Sequence, residues 1–445
     1  MSVLLIGFFL FMFTSGIYLM YLHSDGRYLI LGLLSLFSLG YYVLPVFFMH
    51  LSDLSVQTNY DIMAMLLLNI LFFVALFSGY ILVTERYCLN TTFRIRFDVF
   101  DLWISKYPVI FFSIAYAIWM AYFLRGGLTS YGSEDIESYF SDRDPLEGFL
   151  ARAAATSISM MSLTLVICFL QRRKLFILLG LLYLSCVALL LTTAQRLAVI
   201  GPLFMLIATL SVFGYQRSAN RIILFAVMLL LLISPLMVFV REFQGATGYN
   251  KFFLASESFS YGAGSIVESL LASILGRADL LNVSIYLKNY IDANGFVQGL
   301  YYESILASFV PKFIWADKPY PLSDDGTIWG EISVLAWQLM KGNSTGSLSA
   351  FGAISAYREG GWWWTPINGF FTGALLAYLY FLLTRCGLFG RMIFSSLIVV
   401  MCIRNVPPSF FQLLVFLVAP LYVMVVMYLL DKYLSILVFK VGSDA

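Results

Sequence analysis

Runs of mostly apolar residues, most of them close to twenty long, recur along this chain, and they restrict what it can fold into more than any other feature. A helix crossing a bilayer needs ~20 mostly apolar residues, because each adds ~1.5 Å against ~30 Å of hydrocarbon. Candidate runs occupy 2–21, 28–49, 62–84, 107–124, 149–170, 175–193, 197–214, 222–240, 365–384, 392–403 and 409–430. Composition points the same way. Across 445 residues, 61% are hydrophobic and 12% charged, whereas a water-soluble domain is about half apolar and about a quarter charged. A soluble globule, a disordered chain, a collagen-like fibre and a disulfide-stapled secreted domain are therefore excluded. Barrel strands would be ~10-residue alternating segments, which these uniform runs are not. The expected fold is an all-α polytopic membrane protein with about 11 transmembrane helices, in a range of 10 to 13.

Lysine and arginine set the expected orientation. Placing 22–27, 85–106, 171–174, 215–221, 385–391 and the segment from 431 onward in the cytoplasm gathers fourteen of the 27 basic residues there against six acids. Short cytoplasmic loops carry such an excess, and the stretch Arg172, Arg173, Lys174 satisfies the rule locally. The N-terminus then faces outward and the C-terminus the cytoplasm. The first run lacks a basic n-region and a small-residue cleavage site, so it reads as a span and not a removable signal. None of the five cysteines falls on the outer side, so no disulfide is expected to brace it. The formal net charge of +2 offers no basic field for nucleic acid.

The expected organisation is a bundle over 1–240 with a small external loop at 125–148, a large external loop over 241–364, and C-terminal helices over 365–445. The large loop is expected to be partly helical. Its segment 253–276 carries Glu257 and Glu268, which suit amphipathic helices at the interface better than a span. Segment 308–331 holds three prolines and reads as ordered loop. Long loops are commonly functional, and the tryptophans at 315, 329, 337 and 362–364 argue for a packed one.

Four arginines sit at or beyond the expected outer edge: Arg196 in a very short connection, Arg241 at the end of a run, Arg277 after an apolar helix, and Arg358 ahead of Trp362–Trp364. A guanidinium stays charged and presents a fork of donors that matches phosphate oxygens. Together with Lys318, the four could clamp a lipid phosphate or pyrophosphate. The alternative is that they snorkel to headgroups or pair locally, as Arg241 with Glu242 or Arg358 with Glu359. Carboxylates in the large loop offer a general base. Glu331 and Glu359 lead because Trp and Gly neighbours imply packed surroundings, with Asp279 as a third; a solvated loop acid is the alternative for each. The pair Asp324 and Asp325 could hold a divalent cation, but adjacent acids in a Pro/Gly-rich loop are commonly just solvated, and no metal site or cofactor is assigned. Trp362–Trp364 form an expected interfacial belt or a stacking surface for sugar rings.

Both histidines, His23 and His50, lie far from the large loop, and no Walker-type loop or nucleophile elbow is present. Ionisable residues are nearly missing from the runs, whereas a proton-coupled transporter keeps them at mid-membrane.

With its eleven or so spans and one dominant outer loop, the chain resembles the Wzy-type O-antigen and capsular polysaccharide repeat-unit polymerases. The resemblance also rests on Gly126, Gly127, Tyr131 and Arg143, on the turn at Arg196, on the stretch around 311–319, and on ten residues between Arg358 and Gly369. It implies a metal-independent glycosyltransferase that transfers a growing undecaprenyl-pyrophosphate-linked glycan onto the next lipid-linked repeat unit at the outer leaflet. The implied partners are those lipid-linked oligosaccharides and membrane lipid, with a chain-length regulator and a flippase beside it. The related O-antigen ligases are expected to use a histidine in the large loop, which is absent here. Alternatives are a flippase or exporter of lipid-linked sugars, or a membrane acyltransferase acting on surface polysaccharide.

Overall fold

A computed structural model describes residues 27–38, 59–87, 97–124, 145–191, 196–215, 218–219, 221–222, 279–296, 310, 352–404 and 409–443, with six single positions between 7 and 18. Most of the expected runs 2–21 and 222–240 and of segments 125–148 and 308–331, and all of 253–276, lie outside the described residues.

Every described element is helical, with no strand among the described residues. In chain order they are α1 (Leu29–Ser38), α2 (Asn59–Tyr87), α3 (Asp98–Lys106), α4 (Pro108–Leu124), α5 (Pro145–Leu170) and α6 (Phe176–Leu191). There follow α7 (Arg196–Val212), α8 (Asp279–Asn294), α9 (Gly352–Arg385), α10 (Gly387–Arg404) and α11 (Phe410–Ser443). Two of them, over Tyr60–Arg86 and Gly352–Arg385, are long and apolar enough to cross a membrane. A third crossing results if Val99–Lys106 and Pro108–Leu124, which meet at 91°, form one broken span. That break has a local cause. Pro108 opens α4, where its missing N–H is harmless, and a proline disfavours helical geometry in the residue before it.

The chain divides into two compact units. The first holds α1, α2, most of α3, and α8 to α11. Its centre is the α2–α9 pair, where glycines bring the backbones together. A Cβ on Gly369 would collide with the Phe72 carbonyl, one on Gly373 with the Leu76 carbonyl, and one on Gly79 with the Phe370 carbonyl. Small residues four apart allow this approach, which is how apolar helices associate where the hydrophobic effect gives no drive. The register, 369 at 72 and 373 at 76, makes the two helices parallel. The orientation expected from Lys and Arg requires the same of runs 62–84 and 365–384.

Carboxylates fasten the shared far end of these helices. Asp101 accepts hydrogen bonds from the amides of Leu388 (3.1 and 3.0 Å) and Phe389 (3.2 Å), capping α10. Gly387 is required there, at φ +83, because a Cβ would fall on the Asp101 carboxylate. Buried Asp431 of α11 accepts in turn from the amides of Val99 and Phe100 at 3.0 Å each, capping α3. Each carboxylate satisfies amides that a helix start leaves without intrahelical partners and sits at the positive end of the helix dipole. At the opposite end of α11, Ser409 and Gln412 form a capping box: the Ser409 amide donates to Gln412 Oε1 (2.9 Å) and the Gln412 amide to Ser409 Oγ (3.3 Å).

The second unit holds α4 to α7. Phe112, Ala115 and Trp119 of α4 pack with Ala154, Met161 and Leu165 of α5 and with Leu179 and Tyr183 of α6. The Tyr183 hydroxyl is 2.7 Å from Ser162 Oγ and donates to the Pro202 carbonyl at 2.6 Å, so one buried group links three helices. Within this unit the turn at 171–174 is held to the residues just before α4: Gln171 Nε2 donates to the Ser105 carbonyl (2.9 Å) and Arg173 to that of Lys106 (3.2 Å).

Several expected runs prove longer, two of them by three turns or more. Helix α9 begins at Gly352, upstream of 365, because a separate helical stretch, 352–359, joins it across a break at Gly360 and Gly361. Helix α11 continues past 430 to Ser443, since the buried capping role of Asp431 keeps the chain helical where charge had suggested an end.

Candidate functional site

The site is built around that break in α9. Gly361 has φ +73, a left-handed geometry that glycine adopts without strain. The interruption turns the last residues of 352–359 toward the first turns of the following apolar helix. Arg358 and Glu359 are 6% and 7% exposed there, although charged side chains are seldom buried unless partnered.

Glu359 is half satisfied. Its Oε2 accepts from Trp364 Nε1 at 2.7 Å and from Asn368 Nδ2 at 2.9 Å. Its Oε1 is buried and has no hydrogen-bond partner among the described residues. A carboxyl oxygen in that state accepts a hydrogen bond when ionised and can donate one when protonated, and leaving it unmade costs free energy. Asn368 is fixed in turn, because its Oδ1 accepts from the Phe410 amide at 2.8 Å, at the start of α11. Ser355, one turn before Glu359, accepts from Gln412 Nε2 at 3.0 Å. The α9 break and the start of α11 thus hold one another through side-chain amides, and the free carboxyl oxygen is the group left over.

On the other flank stands α8. Asp292 accepts from the Tyr357 hydroxyl through Oδ1 and from Lys288 Nζ at 2.7 Å through Oδ2. Lys288 lies 5.9 Å from the centre of the Tyr357 ring. Phe296 and Trp362 each meet that ring edge-on, with centroids 5.7 Å apart in both cases.

Of the residues expected to carry function, the structure brings Arg358 and Glu359 to consecutive buried positions. Arg196 and Asp279 open α7 and α8 respectively, and only their backbones are described. Arg241, Arg277, Lys318 and Glu331 lie outside the described residues. The three adjacent tryptophans divide their roles: Trp363 is 87% exposed, whereas Trp364 bonds Glu359 and Trp362 packs on Tyr357. Asn368, Gln412, Lys288 and Asp292 were not singled out from the sequence. For Gln412 the sequence does hold a usable pattern, the Ser409-x-x-Gln412 capping-box spacing. No cluster that could hold a metal ion occurs among the described residues.

No family model, curated protein or solved structure matches the chain.

Proposed function

We propose that the protein is a polysaccharide polymerase of the bacterial inner membrane. In this reading it has about eleven spans and a large periplasmic loop over 241–364, and it joins lipid-linked oligosaccharide repeat units at the outer leaflet. The observation that carries the reading is the half-satisfied, buried carboxyl of Glu359 beside buried Arg358, at a break in an apolar helix of membrane-crossing length. A glycosyl transfer needs both groups. A hydroxyl oxygen of the acceptor repeat unit attacks the anomeric carbon of the donor glycan, and the bond from that carbon to the polyprenyl pyrophosphate breaks. The hydroxyl proton passes to a carboxylate, for which Glu359 Oε1 is the candidate. Negative charge grows on the departing pyrophosphate, where an arginine stabilises it most. Arg196, Arg241, Arg277 and Lys318 are the further candidates for that clamp, and Asp279 and Glu331 the other candidate bases. The resemblance in spans and short motifs to the Wzy-type polymerases supports the same chemistry.

The test is direct. The purified protein, in nanodiscs, is incubated with its host's lipid-linked repeat unit, and glycan products are resolved by gel or mass spectrometry. The expected result is a ladder spaced by one repeat and unaffected by EDTA. Glu359→Gln keeps an acceptor for Trp364 and Asn368 but removes the proton acceptor, so the rate should fall about 10²–10⁴-fold with folding intact. Absence of any ladder from the wild-type protein, or a full ladder from Glu359→Gln, would overturn the assignment.

A further inference from the structure

We infer that Asp292 and Phe296, with Tyr357 between them, form a subsite for a neutral sugar ring; this rests on the polymerase reading and names where its glycan is held. Asp292 is braced by Tyr357 and Lys288, yet its side chain remains 41% exposed. An ionised carboxylate has about four lone-pair positions, and two are occupied, so two remain for hydroxyl donors. Phe296 is 45% exposed. Its ring cannot withdraw, because it meets Tyr357 edge-on, and a Cβ on Gly361 would come within 2.8 Å of its Cζ. Gly295, at φ +89, ends α8 and delivers Phe296 to that position.

Both half-exposed groups touch the same tyrosine, one at its hydroxyl and one at its ring. A carboxylate this open does not face lipid tails, so the neighbouring Phe296 ring borders a wet surface. An aromatic face beside a rigid acceptor is what a pyranose recognises, with apolar C–H bonds over the ring and hydroxyls on the carboxylate. The charge balance selects a neutral ligand. Lys288 already offsets Asp292 and would oppose a cation, while the carboxylate would oppose a phosphate. The pyrophosphate end of the substrate therefore belongs elsewhere.

The experiment uses the full-length protein in nanodiscs and the oligosaccharide freed by mild acid from the host's polyprenyl-pyrophosphate pool. Saturation-transfer NMR reads contact between protein and sugar C–H protons, independently of polymerisation. Wild type and Phe296→Tyr should give the signal. Phe296→Ala should lose it, with at least a tenfold weaker Kd in protein that still elutes as a single folded species, and Asp292→Asn should weaken it. In the ladder assay, Phe296→Ala should raise KM about tenfold and leave kcat near wild type. Glycan binding that disappears in Phe296→Ala, in a protein that makes no ladder, keeps the subsite and removes the polymerase. A normal ladder with unchanged KM and glycan contact in Phe296→Ala removes the subsite and keeps the polymerase. No glycan contact in the wild type also overturns the subsite.

Discussion

Replacing Gly373 by valine should separate α2 from α9. A Cβ at this position collides with the Leu76 carbonyl oxygen and comes within 2.8 Å of its carbon and 3.0 Å of the Tyr80 nitrogen. All three are backbone atoms inside a helix, so no side chain can swing aside, and the helices must move apart by on the order of 1 Å. A gap of that size forfeits a quarter to a half of each dispersion contact it opens. Overpacking ordinarily costs about 1–3 kcal/mol, and the rigid neighbours put this case at the upper end. About 3 kcal/mol is roughly a hundredfold in the folded-to-unfolded ratio. Gly180 on α6 supplies the control, since nothing lies within 4 Å of its built Cβ. Gly180→Ala should be neutral or stabilise by up to ~1 kcal/mol through lost unfolded-state freedom. Melting followed by size-exclusion profile, in one detergent and at one heating rate, measures both. If Gly373→Val melts with wild type, or if Gly180→Ala is the more damaging change, the glycine argument for this helix pair fails.

Other changes probe the polar fastenings. Asp101→Ala removes the acceptor for Leu388 and Phe389 and should cost about 0.5–2 kcal/mol; hydrogen exchange should quicken in the first turn of α10 and nowhere else in that helix. Tyr183→Phe leaves the Pro202 carbonyl without this donor and should cost about 1–3 kcal/mol. Adding Ser162→Ala to it should cost little more, because the two hydroxyls share one network; additive losses in thermal melting would contradict this. Glu359→Ala should be about 2 kcal/mol less stable than Glu359→Gln, since alanine strands the donors of both Trp364 and Asn368. Equal melting of the two variants would mean those bonds contribute nothing.

The positions of the apolar helices among the described residues were legible in the sequence because length and hydropathy decide them. Runs 62–84, 107–124, 149–170 and 175–193 each coincide with a described helix. The extension of α9 to Gly352 was not legible. Arg358, Glu359 and two glycines interrupt the apolar pattern, and that stretch is held by bonds to α11 through Ser355 and to α8 through Tyr357, partners remote in sequence. Glu359 stood out in advance because its Trp and Gly neighbours implied packing, and it is buried. Asp292 could not be found that way, since its partner Tyr357 lies 65 residues along the chain. Asp101 and Asp431 entered the sequence reading only as two of the six cytoplasmic acids, whereas each caps a helix remote in sequence. A charge count reads sidedness but cannot tell a free acid from one that ends another helix.

Those two caps impose an order on biosynthesis. The start of α3 leaves the ribosome more than three hundred residues before the aspartate that completes it, the separation from Val99 to Asp431 being 332. Until the final helix is made, the amides of Val99 and Phe100 must find a temporary acceptor in water or chaperone. A nascent chain arrested ahead of residue 431 therefore carries its lesion near residue 99, and cellular proteases should detect such products at the early helix and not at the cut end.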